Sequence, residues 1–340
     1  MPHARSFAQG TDPEKSCGAR PFWSVMIPVY NSTKYLARTL ESVLAQDPGP
    51  ASMQIEVVDG YSTIDLPEPL VQQLAGGRVG TFRHTRPLSM SANWNSCIER
   101  ARGEWVHILH SDDFVLPGFY SRLEDSLRGR SDVGAAFTRW TTVDSTGRPL
   151  NPAPPLMETA GILPDRLDRL AGAQLIQFPA MVVRKSAYLE AGGFRSDLKF
   201  ALDWEMWVRL AARFPVWYEP ELLACYRVHQ ESETMRQSRV GADLADQAKA
   251  IPIIESYLPP GSKARAQLAL RLLDVAKGQF VLRLPRDAMH SIRTALRLDL
   301  SPQVIAAAAQ LGGWALAGVA RVGLRRAGLV RQDDRAQHPS

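Results

Sequence analysis

From residue 22 onward, short dense apolar runs alternate with stretches whose apolar residues recur at helical spacing. The run Trp23-Ser24-Val25-Met26-Ile27-Pro28 predicts a strand, closed by the turn Val29-Tyr30-Asn31-Ser32. Leu36, Leu40, Val43 and Leu44 then share one helical face, with Asn31 or Ser32 placed to cap that helix and Asp47-Pro48-Gly49-Pro50 to end it. A second run, Gln54-Ile55-Glu56-Val57-Val58, leads into Asp59 and the polar turn Gly60-Tyr61-Ser62-Thr63. Two strands joined through a helix pair in parallel with a right-handed crossover. Further strands are expected over 79–83 and 105–109, with a helix over 90–101 between them.

The second half keeps the alternation more loosely. Residues 133–140 read as a strand followed by a Pro-rich loop, and 178–183 as another strand. After the turn Gly192-Gly193-Phe194 comes an amphipathic helix with Trp204, Trp207, Val208 and Ala211 on one face and Asp203 at its start. Residues 222–226 predict a final strand, and beyond about residue 237 the chain turns to Ala, Leu and Arg without strand signals. The expected organisation is a disordered leader over 1–20, an α/β domain over 21–236, a helical region over 237–330 and a disordered tail over 331–340.

Composition narrows the function classes. The net charge is +5, but Lys and Arg are scattered rather than massed on a nucleic-acid motif, so no nucleic-acid partner is expected. Cys17, Cys97 and Cys225 are far apart and odd in number, which favours reduced thiols in a cytoplasmic setting over a disulfide framework. Residues 1–20 lack the apolar core of a secretory signal. The largely apolar stretch 304–322 is interrupted by Gln310 and Arg321 and weakened as a helix by Gly312-Gly313, which leaves it marginal for a bilayer that demands about 20 apolar residues.

The candidate chemistry begins where the run 103–109 stops on His110-Ser111-Asp112-Asp113. Adjacent carboxylates repel, and at the carboxyl end of a buried strand such a pair answers to a cation or cationic ligand; the alternative is a solvated acidic turn. Ligands of open parallel sheets bind beyond the carboxyl ends of strands, and Tyr30, Asp59 and Asp112 all fall at such ends. A Gly-rich loop with basic residues after the first strand, which a nucleotidyltransferase needs, is absent, as is the G-x-G-x-x-G of a dinucleotide oxidoreductase.

Taken in order, these segments resemble a family 2 glycosyltransferase of the GT-A fold, over roughly residues 23–234. Ser24 through Asn31 resembles the opening strand and nucleotide loop, Val57-Val58-Asp59 the second nucleotide segment, and the stretch from Asn95 the helix before the acidic motif. His110-Ser111-Asp112-Asp113 stands at the DxD-type motif, Gly192-Gly193-Phe194 with Leu202-Asp203-Trp204 at the segment of the catalytic base, and Tyr226-Arg227-Val228-His229 at the closing motif.

The resemblance implies a nucleotide-sugar donor, a glycan or lipid-linked acceptor and a divalent cation, Mg²⁺ or Mn²⁺. Pro28, Tyr30, Asn31, Asp59, Asn95, Asp112 and Arg227 are the implied donor contacts. Asp112, Asp113 and His229 are the implied metal ligands, with one Asp on the cation and the other on the ribose or sugar, in either order. Asp203 is the implied base, held ionised by the helix dipole; its alternative is a simple helix cap. One base opposite the leaving group implies inversion, in an enzyme of bacterial surface polysaccharide synthesis at the cytoplasmic side of the membrane. Arg321, Arg325, Arg326 and Arg331 follow the apolar stretch as anionic lipid would favour, so peripheral membrane contact through the C-terminal helices is an expectation, beside that of a helix packed on protein. Two positions depart from the pattern: His110 stands where many relatives carry an acid, and Gly60 where a second Asp is common. The competing expectation is therefore a non-catalytic relative that binds a nucleotide or glycan.

Overall fold

The computed structural model describes residues 20–232 and 241–326. Its centre is one mixed sheet of ten strands: β1 (Trp23–Val29), β2 (Met53–Asp59), β3 (Gly80–Arg83), β4 (Trp105–Ile108), β5 (Phe114–Val115), β6 (Ala135–Val143), β7 (Pro149–Pro152), β8 (Gly161–Ile162), β9 (Met181–Arg184) and β10 (Val216–Arg227). The order across the sheet is β3-β2-β1-β4-β9-β6-β10-β5, with β7 beside β6 and β8 beside β10. The β3-β2-β1-β4 part is parallel, as is β6-β10, while β9 runs antiparallel between the two.

Every residue of β1 and β2 is buried, which is why both read as near-continuous apolar runs: helices cover both faces of a parallel sheet. The polar residues within these strands are partnered. Ser24 donates to Gln54 (2.6 Å), and Glu56 pairs with Arg100. The strand register then places Val29 opposite Asp59, so the loops that follow β1 and β2 emerge side by side.

Helices α1 (Leu36–Leu44), α2 (Glu68–Ala75), α3 (Met90–Arg100), α4 (Phe119–Leu127), α5 (Arg166–Gly172), α6 (Lys185–Ala191), α7 (Leu202–Arg213) and α8 (Ala242–Glu255) flank this sheet. Gly103 follows α3 because a Cβ there would come within 2.5 Å of the Trp23 carbonyl carbon; its amide instead donates to Ser24 Oγ (2.7 Å), which locks the entry to β4 against β1.

Three local expectations change. The cap of α1 is Tyr35, without a side-chain hydrogen bond, while Asn31 sits at φ 47° and serves the neighbouring loop instead. The run 178–183 divides into a single 3-10 turn, Phe178–Ala180, and β9, because Pro179 has no amide to give a ladder. The final strand begins at Val216 rather than residue 222, and a register shift between Glu219 and Leu222 accommodates Pro220.

The chain divides into two compact units at Ala264/Arg265, not near residue 237: α8 belongs with the sheet, packed on α7. The second unit contains α9 (Ala264–Val281), α10 (Pro285–Leu298) and α11 (Pro302–Arg326). Gly312-Gly313 does not break α11, which runs as one helix of 25 residues. No helix among the described residues is long and apolar enough to cross a membrane. Residues 1–19 of the leader expected over 1–20, the tail over 331–340 and Arg331 lie outside the described residues, as do the side chains of Arg321, Arg325 and Arg326.

Candidate active site

The acidic motif occupies the turn between β4 and β5. Leu109 still donates to Met26 of β1 (3.0 Å), after which Asp113 closes a turn onto the His110 carbonyl (3.2 Å). Thr39 of α1 holds this turn by donating to the Asp113 carbonyl (2.7 Å). Because β5 pairs antiparallel with β10, the end of β10 returns to the same place and delivers Arg227 and His229.

The two carboxylates have different environments. Asp113 is buried, and its Oδ1 accepts the Arg227 amide (2.8 Å). Burial, reinforced by the charge of Asp112, pushes its pKa well above the usual carboxylate range. Asp112 keeps a quarter of its side chain exposed and receives His229 Nε2 on Oδ2 at 3.1 Å. Burial opposes its ionisation, but the His229 hydrogen bond and the electrostatic interaction with the His110 and His229 rings outweigh it and its pKa falls. Asp112 is the available anion of the pair.

His110 packs against two aromatic rings, with Phe178 at 4.1 Å and Trp94 at 4.8 Å between centroids. Burial pushes its pKa down to about 4, so the imidazole is neutral at pH 7. Its Nδ1 stands 3.9 Å from Asp113 Oδ2, and ligand atoms of His110, Asp112 and Asp113 all lie within 4.8 Å of one another. Three buried polar atoms here have no protein partner: His110 Nε2, Asp113 Oδ2 and His229 Nδ1. Orphaned nitrogen and oxygen donors around a half-open carboxylate fit a divalent cation.

The nucleotide-side residues form one tied wall. Asp59 is buried, accepting the Ser62 amide on Oδ1 (2.7 Å) and facing Arg83 Nε at 3.4 Å. Asn31 Oδ1 accepts the amides of Thr63 (2.9 Å) and Ile64 (3.1 Å), and its own amide donates to Ser62 Oγ (2.8 Å). Pro28 is buried in β1 beneath this wall, whereas Tyr30 is 54% exposed and is not a packing residue. A Cβ at Gly60 would meet Asn93 Nδ2 at 3.1 Å, so a second Asp would have to displace the Asn93 amide.

On the other side, Asp203 lies in the first turn of α7 and is 8% exposed. Its Oδ1 accepts the Trp204 amide (2.7 Å) and its Oδ2 the Gln174 side chain (3.0 Å). Its pKa rises to about 6, chiefly by burial, against the opposing hydrogen bonds. Desolvation, not the helix dipole, dominates its ionisation.

Two of the expected donor contacts are otherwise engaged. Asn95 donates to the Phe194 carbonyl (2.9 Å) and accepts the Phe194 amide (2.7 Å), so both ends of its side chain pin the Gly192-Gly193-Phe194 turn. The Arg227 guanidinium is buried against Tyr35 and donates to the carbonyls of Asp112 (2.7 Å), Asp144 and Ser145 (both 3.1 Å). These bonds hold the acidic turn. A cavity of about 770 Å³ beside Arg227, walled by Tyr35, Arg38, Phe114 and Leu222, does not include Asp59, Asp112 or Asp203. Gln174, Trp94, Phe178 and Thr39 were not foreseen from sequence; none belongs to a local motif, and only the Trp94 and Phe178 ring content offered a signal.

Comparison with known proteins agrees with this fold. An uncharacterized Mycobacterium tuberculosis protein, MT1568, is 29% identical over 268 residues, which cover 74% of this chain and 81% of that one. Chondroitin synthase of Escherichia coli is 23% identical over 220 residues, 64% of this chain but 30% of that longer protein. Among solved structures, Staphylococcus aureus TarS 1–349 in complex with UDP-GlcNAc superposes with a TM-score of 0.65 at 18% identity, covering 92% of this chain and 94% of that one. The mannosyltransferase PcManGT of Pyrobaculum calidifontis, in complex with GDP-Man and Mn²⁺, gives 0.53 at 18% identity, covering 87% and 81%. Residues 24–187 match the model of glycosyl transferase family 2, and this segment, with the sheet built around it, has the GT-A fold of a family 2 glycosyltransferase.

Proposed function

We propose that this protein is an inverting, cation-assisted glycosyltransferase that moves a hexosyl group from a nucleotide-sugar to a hydroxyl of a glycan or lipid-linked acceptor in surface polysaccharide synthesis. The observation that supports it most is the pairing of an available carboxylate, Asp112 with His229, at the sheet's carboxyl edge with a separate buried carboxylate, Asp203, whose pKa of about 6 suits a base. The nucleotide would lie along the Asn31–Ser62 wall with Tyr30 against it. UDP- and GDP-sugars are the first donors to examine, given the ligands of the two structural neighbours.

In this reading Asp203 accepts the proton of the acceptor hydroxyl as its oxygen attacks the anomeric carbon. The bond from that carbon to the diphosphate oxygen breaks on the opposite face, so the configuration inverts and nucleoside diphosphate leaves. Gln174 holds the carboxylate in direction, and Trp94 and Phe178 hold His110 and hence the edge of the acidic turn. A divalent cation, held by Asp112 with His229 or His110, would supply positive charge against the growing charge on the diphosphate. Asp113 anchors the turn through Oδ1 on the Arg227 amide, and its unpaired Oδ2 is left available to the same cation.

A lipid-linked acceptor would bring the protein to a membrane surface, and exposed Leu300, Ile305 and Trp314 of the second unit are suited to meet it. Flotation with anionic liposomes, comparing the full chain with a truncation before Ser301, tests that part: equal behaviour removes it.

The deciding experiment is nucleoside diphosphate release from a panel of UDP-, GDP-, dTDP- and CDP-sugars with and without Mn²⁺. Release with one donor class, abolished in Asp203→Asn, is expected. Nucleotide-induced thermal stabilisation with no release from any donor would instead favour a binding protein, the reading that His110 and Gly60 motivate.

A further inference from the structure

Helix α7 begins without a cap of its own: the residue at its N-cap is Ala201, which has no acceptor. The amides ahead of it are nonetheless bonded. Asp246 of α8 accepts the Lys199 amide (3.0 and 3.1 Å to its two oxygens), the Phe200 amide (2.7 Å) and the Ala201 amide (2.8 Å). Three backbone donors on one carboxylate are charge-assisted bonds, and they do for α7 from another helix what a capping Ser or Asp does locally. Farther along α8, Lys249 donates to the Asp197 carbonyl (2.6 Å) and pairs with its carboxylate (3.3 Å), so the loop into α7 is gripped at two points.

We propose that Asp246 is a positioning residue for Asp203: by holding the amides of Lys199, Phe200 and Ala201 it fixes the first turn of α7 and so the aim of the Asp203 carboxylate at Gln174 and the acceptor side. This rests on the reading of Asp203 as the base. The position has no motif around it, and it lies beyond the segment that matches the family model. It also has an electrostatic consequence, because the negative charge of Asp246 raises the pKa of Asp203, adding to burial. The other charged groups on elements against α7 are Arg166, Asp168 and Arg169 of α5, Lys185 and Glu190 of α6, and Asp243, Lys249 and Glu255 of α8, with Arg195, Asp197 and Lys199 in the loop. On α7 itself Glu205 is bonded to Arg209 (2.9 Å) and Tyr257 (2.5 Å). Among these charges, Asp246 has the largest effect on Asp203.

The test uses the full chain without ligand. Hydrogen exchange is measured over residues 199–204, and the Asp203 carboxyl is titrated by ¹³C NMR, its resonance assigned by its loss in Asp203→Asn. In Asp246→Asn the exchange of these amides should accelerate by about tenfold, as loss of a charged acceptor predicts, and the Asp203 midpoint should fall. Asp246→Glu, which keeps the charge but displaces it, should still accelerate exchange locally; it decides the matter if the Asn variant does not fold. Unchanged exchange and an unchanged midpoint would overturn the proposal. Failure of the base reading looks different: Asp203→Asn would then retain donor turnover whatever Asp246 does.

Discussion

His229 Nε2 lies 3.1 Å from Asp112 Oδ2, joining the last residues of the sheet to the turn after β4. The pair leaves Asp112 with a depressed pKa, so its stabilising contribution is present above the ordinary carboxylate range and is lost as pH falls through the lowered value. His229→Ala should therefore bring acid unfolding to higher pH, measured by circular dichroism across an acid titration. The same substitution should weaken Mn²⁺ binding by about tenfold, and Asp112→Asn by more, read from the free-ion EPR signal. Unaltered Mn²⁺ affinity in both variants would remove the cation from this site.

Asp203 sets a pH limit. With a pKa of about 6, its carboxylate form exists above that value, so turnover should be lost below it. The Gln174 hydrogen bond acts to lower that pKa. Gln174→Ala should shift the acid limb of the pH–rate profile to higher pH, and a profile indifferent to Gln174 would argue against Asp203 as the titrating group.

Asn95 makes two hydrogen bonds to the Phe194 backbone, one given and one received. Asn95→Ala should destabilise the protein by about 1–3 kcal/mol in urea unfolding, by leaving Phe194 N–H and C=O unpaired. Asn95→Asp removes the donor and keeps the acceptor, so a smaller loss is expected. A donor KM changed in both variants with stability intact would restore Asn95 to the donor site.

Gly103 packs where no side chain fits, since a Cβ there would meet the Trp23 carbonyl carbon at 2.5 Å and the Ser24 amide nitrogen at 2.6 Å, both backbone. Gly103→Ala must separate β1 from the entry to β4. A loss of about 3 kcal/mol or more, or failure to fold, is expected, to be read from denaturant midpoints.

His110→Asp exchanges a neutral ring stacked on Phe178 and Trp94 for a carboxylate beside the buried Asp113. Without the stack the turn should loosen and the melting temperature drop; with Mn²⁺ present much of that drop should be recovered, because the cation offsets the added charge. Equal melting temperatures in the two conditions would show that residue 110 has no bearing on the cation.

The alternation of apolar runs was sufficient to place β1, β2 and β4, since burial of both their faces leaves a near-continuous apolar signature. It was less informative around β9 and β10, where Pro179 and Pro220 interrupt the ladder and short runs cannot be told apart by period alone. Composition detects the change to helices near residue 237 but not which neighbour α8 packs against, and the compact units divide at Ala264/Arg265.

What the chain's own sequence determined is the order of elements and the residues that end or follow its strands, among them Asp59 at the end of β2 and Asp112 in the turn after β4, because periodicity and turn chemistry are local. Which carboxylate is buried, which is available and which side chains are already engaged was decided by the tertiary structure. The partners responsible are 99 positions apart for Asn95 and Phe194, 115 for Arg227 and Asp112, and 117 for His229 and Asp112. Desolvation and hydrogen bonding depend on those neighbours, and no spacing along the chain encodes them.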